Sequence, residues 1–499
     1  MSERCLLEKV FALCARRGII IPTAEIYGGL SGFFEYGPVG LRIKQKLLNL
    51  WRKWFVDPYD NIVEIEGSIV LPEKVFEASG HLEKFVDPIT QCKKCGTIYR
   101  ADHLIEELLG ANVEGKSEEE LTKIMRENNL RCPKCKGELS DVKVFNLMLK
   151  TNISPVVGNI AYLRPETAQN IFINFRRLYT ACRLKLPCGI AQIGFSFRNE
   201  ISPRQFLIRL RGFTQAEIEL FYDPENEECK LEEISDVKLP ILTREEQIKG
   251  TYKVNEFTPK ELIEKKIAFS KWQVYYLARE FLFFTQELKI PKDRIRIRHL
   301  LPEETAHYSK GNFDVEIYYD GEIGWREVVG NAYRTDYDLS RHSKFSNEDL
   351  SVDVDNRKIV PHVTEPSFGI DRILLALLML NYHDKNEDRQ WCWLSLPIKL
   401  SPYIAGVFPL VSKDDLPRKA REIYEMLKEE FGKDVFYDEK GSIGRRYARA
   451  DEIGVPFCIT IDYQTLEDNT VTLRSRDTRE QVRVKVEELK DVIRNLCKG

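Results

Sequence analysis

The stretch FSFRNEISPRQFLIRLRGFTQAEIEL, residues 195 to 220, gathers on one hairpin the residue types that grip anions, stack on planar rings and hold an ammonium. Side chains alternate across a strand, so Ile193, Phe195 and Phe197 fall on one face and Gln192, Ser196, Arg198 and Glu200 on the other. On the return strand Thr214, Ala216, Ile218 and Leu220 point inward, which leaves Phe213, Gln215, Glu217 and Glu219 on the second face. That face offers a guanidinium for a phosphate, a ring for a planar base and carboxylates for a cation. Arg204, Arg209 and Arg211 in the turn add anion donors. A solvent-facing surface laced with salt bridges uses the same residue types, so the hairpin alone leaves both readings open.

A second segment, EPSFGIDRILLALLML, places Arg372 at the first turn of a helix that is apolar all round and therefore buried. A charge there costs several kcal/mol unless it is paired or liganded. Helix N-termini also favour anions, so guanidinium and dipole together make a polyphosphate site. Pairing of Asp371 with Arg372 is the alternative. GWREVVGNAYRTDYDL supplies Glu327 and then Arg334, and AYLRPETAQNIFINF sets Glu166 at a helix start, where it complements the dipole. Neither a Walker A pattern nor GxGxxG occurs, so a nucleotide site here is of another kind.

These residues need elements to position them. PVGLRIKQKLLNLWRKWF reads as a helix started by Pro38, with Leu41, Leu48, Trp51 and Phe55 on one stripe and Trp54 beside them. The stripe suits a core helix, and its width leaves a subunit interface open. CKKCG and CPKCKG bring Cys92, Cys95, Cys132 and Cys135 together as two knuckles, the spacing of a closed, structural Cys₄ zinc site. The other eight cysteines are scattered, as in a reducing compartment. Beyond residue 395 strand-like and helix-like segments alternate as βαβα, which predicts a compact α/β domain with a mostly parallel or mixed sheet. Arg445, Arg446 and Arg449 cluster there, as a solvated face or as phosphate ligands.

At 499 residues several domains are expected. The expected division is 1–90 and 141–394 as one core, 91–140 as the zinc-knuckle insertion, 233–266 as a charged surface insertion and 395–499 as the last domain. A formal net charge of -3 excludes a uniformly basic coat for nucleic acid, so such a partner must be met by local patches. The longest apolar run, ILLALLML, is too short to cross a bilayer, and the N-terminus reads as an amphipathic helix, which predicts a soluble, cytoplasmic protein without a membrane partner.

YGPVG, RADHL, RPETAQ, FRNE, RGFTQAEIE, GWREVVGNAYR and EPSFGIDR, in that order, resemble the signature segments of class II aminoacyl-tRNA synthetases. Within that class the chain resembles the glycyl-tRNA synthetases of archaeal and eukaryotic dimeric type, from about residue 8 to residue 495. The resemblance implies an α+β fold, with an antiparallel-sheet catalytic domain and a C-terminal α/β anticodon-binding domain. It implies ATP-dependent joining of glycine to tRNA(Gly) through glycyl-adenylate, Mg²⁺ with the ATP, and a homodimer whose apolar interface runs through Trp51, Trp54 and Phe55.

By the same resemblance, Arg198 and Arg372 are the catalytic arginines, on the α- and γ-phosphates. Phe213 stacks on adenine with Glu200 near its amino group. Asn199, Ile208, Arg209, Leu210, Arg211, Gly212, Val328, Gly369, Ile370 and Asp371 complete the ATP site, and Glu327 helps hold Mg²⁺. Glycine has no side chain to recognise, so its pocket must work by exclusion. The resemblance surrounds its ammonium with Glu166, Glu217 and Glu365, brings Arg100 to its carboxylate and uses Ser367 to crowd out a Cβ. Phe213, Thr214, Gln215, Ala216, Pro366, Phe368 and Gly369 are the remaining wall. Carboxylates so close need a cation to stay ionised together, so without glycine their pKa values are expected to be raised. A non-catalytic nucleic-acid-binding paralogue of the same fold is the alternative, and it should lose the arginines or the ammonium carboxylates first. Synthetases for threonine, proline or serine are the rivals within the class.

Overall fold

A computed structural model describes residues 5–111, 113, 115–153, 160–203, 205–321 and 323–497; Arg204 lies outside them. Helix α1 (Leu6–Arg17) buries Val10, Leu13 and Cys14 and stops at Gly18 in a left-handed conformation. Helix α2 (Pro38–Phe55) begins at Pro38, where a missing N–H costs nothing. Then follow β1 (Ile62–Ile65), α3 (Ala168–Ala181), β2 (Cys188–Phe197) and β3 (Gly212–Tyr222). After them come β4 (Leu239–Leu242), β5 (Asn255–Phe257), α4 (Lys271–Leu282), β6 (Ile295–His299), β7 (Gly311–Tyr319) and β8 (Gly324–Thr335). Helix α5 (Tyr337–Ser346), strand β9 (His362–Gly369) and helix α6 (Ile370–Leu380) complete the larger core.

The nine strands form one sheet in the order β5-β4-β6-β7-β8-β9-β3-β2-β1. Only the β1–β2 and β4–β6 pairs are parallel. One face carries Ala216, Ile218, Leu220 and Phe368 and is covered by α2, α4 and α6. The other face is covered by α3, whose Ile171, Phe172 and Phe175 pack on Ile190 and Phe221. The rest of that face is the floor of a cavity.

Two expectations are corrected here. The segment 233–266 is not a surface insertion: β4 and β5 extend the central sheet, and Leu239, Ile241 and Leu242 are fully buried. Its charges flank a short apolar strand that sequence texture hides. Trp51 and Phe55 do not face a partner either. Both are fully buried in the chain's own core, where Phe55 lies 4.8 Å and Trp51 5.9 Å from the Phe368 ring. Trp54 is half-buried against Phe283 and Arg279, and of the expected stripe Leu41 is exposed.

The cysteine-bearing insertion is a small unit. Strand Val86–Gln91 is central between Ile98–Arg100 and Lys143–Asn146, and helices Ala101–Leu109 and Glu118–Glu127 bury Leu104, Ile105, Leu121 and Met125. Ser117 and Glu120 form a capping box that starts the second helix.

The C-terminal unit consists of β10 (Ala405–Pro409), α7 (Leu416–Phe431), β11 (Val435–Tyr437), α8 (Ile443–Glu452), β12 (Phe457–Ile461), β13 (Thr470–Ser475), β14 (Gln481–Lys485) and α9 (Leu489–Leu496). Its sheet runs β11-β10-β12-β13-β14, parallel over the first three strands and antiparallel after, the mixed sheet expected. Of the arginine cluster on α8, Arg445 is exposed while the other two are engaged within the unit. Arg446 is buried and donates to the carbonyls of Glu439 and Gly441 and to Ser412, and Arg449 pairs with Asp438. Asp451 fixes this unit to the preceding chain, since its buried carboxylate takes both Arg474 nitrogens and the Trp391 indole N–H. No helix among the described residues is long and apolar enough to cross a membrane.

Candidate active site

The hairpin alternates as its sequence predicts. Gln192 pairs with Glu217 and Ser196 with Phe213, so the polar sets of β2 and β3 share one face. Register then brings in β8 and β9. Glu217 lies opposite Ser367, Gln215 opposite Gly369, Gly330 opposite Ser367 and Ala332 opposite Glu365. Gln215 and Glu217 of β3 and Glu365 of β9 thus share one face of the sheet with the small Gly330 and Ala332 of β8, and the difference in size leaves a cavity of about 470 Å³.

At one end of the cavity stand the two arginines. Arg198 donates from Nε to the Pro165 carbonyl, and its guanidinium lies 5.2 Å from the Phe213 ring. Among the described residues no carboxylate is in ion-pair contact with it. Arg372 donates from Nη1 to the Glu327 carbonyl at 2.9 Å and carboxylate at 2.8 Å, and from Nε to the Ile208 carbonyl. Enclosure pushes the Glu327 carboxyl up, but Arg372 outweighs it and holds the group below its ordinary value. Asp371 does not pair with Arg372. It accepts from the Thr214 backbone N–H at 2.5 Å and from the Tyr36 hydroxyl, which locks the head of α6 to β3.

The loop between β2 and β3 is a 14-residue excursion rather than a tight turn. Arg209 pairs with Glu200 at 2.9 Å in the cavity wall. Arg211 instead donates to the Glu200 and Ser31 carbonyls and the Asn199 N–H to the Leu147 carbonyl, and neither residue lines the cavity. Ile208, Leu210, Val328 and Gly369 do line it. Gly212, Ala216, Pro366, Phe368 and Ile370 stand behind the wall. Arg100 is held by Asp102 at 3.0 Å and Asp87 at 3.2 Å, also outside the lining.

At the other end sits the acidic group. Glu217 accepts from Gln215 at 2.8 Å, Ser367 at 2.5 Å, the Thr167 N–H at 3.0 Å and the Thr167 hydroxyl. Burial and then the Glu166 charge nevertheless push it upward. Glu365 is pushed up to about 8, by burial first, against the pull of Arg334, and further by Glu217 and Glu166. Glu166 departs from this expectation: burial would raise it, but His81 and Arg334 beside it hold it well below the carboxylate range. The cation that the cluster requires is therefore supplied partly by the chain itself.

Arg334 is fully buried. It reaches Asp338 at 2.8 and 3.0 Å, Glu365 at 2.8 Å and Glu166 at 3.5 Å, and stacks 3.7 Å from the Tyr308 ring. Sequence reading noted Arg334 without this role, because nothing local separates a buried arginine from a surface one. A second buried arginine, Arg164, crosses under β2 to the Phe195 carbonyl at 2.8 Å and to Gly67, Asn170 and Gln192. It passes where Gly194 has no side chain, since a Cβ there would lie 2.0 Å from Arg164 Nη2. Also missed were Arg298, Glu304, Asn312 and Asp314, which line the cavity near Glu327. The alternation of GNFDVEIYY, with Asn312, Asp314 and Glu316 on one face, was the available signal.

The four knuckle sulfurs all lie within 4.8 Å of one another, with Cys92 to Cys135 at 3.5 Å and Cys95 to Cys132 at 3.7 Å. A tetrahedral zinc with bonds of ~2.3 Å needs sulfurs roughly 3.8 Å apart, so the set fits.

Residues 405–496 match the family model described as an anticodon binding domain. The glycine–tRNA ligase of Pyrococcus furiosus is 45% identical, over 98% of both chains, and that of Methanocaldococcus jannaschii is 42% identical over 99% of this chain and all of its own. The chain belongs to the glycine–tRNA ligase family. The ligase fold also resembles, at a TM-score of 0.60 and 13% identity, a prolyl-tRNA synthetase from Cryptosporidium parvum complexed with L-proline and AMP. That likeness covers 98% of this chain and 74% of the other, and it shows the fold alone. Arg198, Arg372, Glu166 and Glu217, whose loss is expected of a non-catalytic paralogue, are all present.

Proposed function

We propose that this glycine–tRNA ligase activates glycine with ATP in the cavity between Arg198, Arg372 and the Glu166–Glu217–Glu365 group. The observation that carries the reading is the opposition of the two ends: arginines at one, and at the other a carboxylate set with less positive charge than it needs. A zwitterion with no side chain fits the acidic end by its ammonium and turns its carboxylate toward Arg198. A carboxylate oxygen attacks the α-phosphorus, the α–β phosphoanhydride bond breaks and pyrophosphate leaves. Arg198 meets the charge that develops at phosphorus, a role that requires position rather than covalent chemistry. Arg372, anchored by Glu327 and Ile208, holds the far phosphate. In the second half-reaction a hydroxyl of the tRNA 3′ terminus attacks the glycyl carbonyl and AMP leaves.

Glu327 and the neighbouring Asp314 are hard oxygen donors in the cavity wall. They would hold Mg²⁺, which supplies neutralisation of the phosphates. Cys92, Cys95, Cys132 and Cys135 would hold zinc in a closed structural site, remote from the chemistry. The C-terminal unit reads the tRNA anticodon region. The working form is a homodimer in the cytoplasm, joined by surfaces other than the buried Trp51 and Phe55.

The test is ATP–pyrophosphate exchange with each amino acid separately, without tRNA, beside Arg198→Ala. Exchange with glycine alone, lost in the variant, is the expected result. Exchange with another amino acid would keep the reaction and refute the pocket.

A further inference from the structure

Glu219 is a carboxylate of the acidic floor that the mechanism leaves unused. It lies two residues beyond Glu217 on β3 and so on the same face. It is fully buried, and neither of its oxygens has a hydrogen-bond partner. Its carboxylate lies within 4.8 Å of those of Glu217 and Glu365.

The charged and amide groups around it are engaged elsewhere. Arg334 is committed to Asp338 through Nε and Nη2 and to Glu365 through Nη1. Helix α3 presents Gln169, which is bound to Glu166 and Asp338. Helix α5 presents Asp338 and His342, and the latter, kept neutral by burial, is spent on Gln169. His81 stands beside Glu166. Glu217 already has donors on both oxygens, whereas Glu365 has only Oε2 bound by Arg334. Glu166, Glu217, Glu219, Glu365 and Asp338 thus face one guanidinium and, at Glu166 alone, the His81 ring, joined in the working site by one ammonium. A buried carboxylate without donors neutralises, and among like charges sharing a site one keeps its proton.

We propose that Glu219 is a positioning residue that keeps its proton in the working enzyme and donates it in a hydrogen bond to Glu365, fixing that carboxylate for the glycine ammonium. The proton stays on a Glu219 oxygen throughout, and no bond to substrate is involved. The proposal rests on the glycine-pocket reading above. A neutral Glu219 keeps the floor's charge matched to a single small cation, and it fills volume that water would otherwise take.

Glutamine reproduces a neutral acid's shape and donor, and methionine its shape alone. In glycine-dependent pyrophosphate exchange, Glu219→Gln should keep the KM for glycine within about threefold. Glu219→Met should raise it about tenfold or more, the scale of one lost hydrogen bond to a charged group, with the KM for ATP unmoved. Infrared difference spectra should show a protonated-carboxyl carbonyl band that disappears in Glu219→Gln. Equal damage from glutamine and methionine would mean an ionised Glu219, and equal tolerance of both would mean a spacer; either overturns the proposal, as does a missing band. Glu166→Gln is the control. An unchanged glycine KM there removes the pocket reading and this proposal together, whereas a raised KM with the wrong Glu219 pattern removes the proposal alone.

Discussion

Arg334 Nη1 donates to Glu365 Oε2 at 2.8 Å from a position with no solvent exposure, on the same guanidinium that grips Asp338 with two other nitrogens. The glycine pocket therefore has an internal counter-ion before any substrate arrives. Arg334→Met would strand several buried carboxylates, and removal of one partner from such a group costs ~3–5 kcal/mol. Urea unfolding of the ligand-free protein should show that loss. Arg334→Lys should recover only part, because an ammonium supplies the charge without the fork. Full recovery by lysine would mean that geometry is unimportant here.

Arg372 has a different duty, since its anchors Glu327 and Ile208 hold it at the cavity wall without neutralising a cluster. Arg372→Ala should lower pyrophosphate exchange by ~10² or more, the effect of losing one preorganised charge in a phosphoryl transfer. The KM for glycine should move little. A selective rise in the glycine KM would contradict the assignment of the two ends.

Two buried acids, Glu280 and Glu365, contribute to the pH dependence beside Glu217, Glu219 and Asp314, which burial also raises. Burial raises Glu280 to about 8 against its bond from Asn331, and burial with its acidic neighbours raises Glu365 to about 8. An unfolded glutamate titrates near ~4.3, so between that value and 8 the folded chain holds protons that the unfolded chain has released. The stability that these two groups contribute to the ligand-free protein must then fall as pH rises through this window, having been fully present below it. Glu280→Gln should reduce the slope by up to about 1.4 kcal/mol per pH unit, with glycine kinetics unchanged. The amide can also donate to Asn331 Oδ1, which now lacks a partner. Urea unfolding from pH 5 to 8 reads the slope directly, and an unchanged slope would mean that Glu280 is ionised in the folded state.

Elemental analysis of protein purified without chelator should find one zinc per chain. Cys132→Ser should abolish it and loosen the 86–146 unit to proteolysis before the rest of the chain. Retained zinc in that variant would dismiss the Cys₄ assignment.

Strand alternation carried much of the site in the sequence: the shared face of Gln192, Phe213, Gln215 and Glu217 could be read from period alone, as could the buried character of α6. Pairing between distant strands could not. Nothing near Glu365 shows that Ala332 lies opposite it, or that Arg334 reaches back beneath it. The same limit explains 233–266, where β4 is short and its neighbours are charged. It explains the aromatic stripe of α2 too, because one apolar helix face looks alike whether a sheet or a second subunit covers it.

Gly194 sits in QIGFSF as an ordinary small residue, yet Arg164 passes through the space where its side chain would be. These two positions are 30 residues apart and have one shared volume, so they are bound in their histories. A lineage that gained a side chain at 194 would have to surrender the arginine at 164, and with it the brace that joins Phe195, Gly67, Asn170 and Gln192.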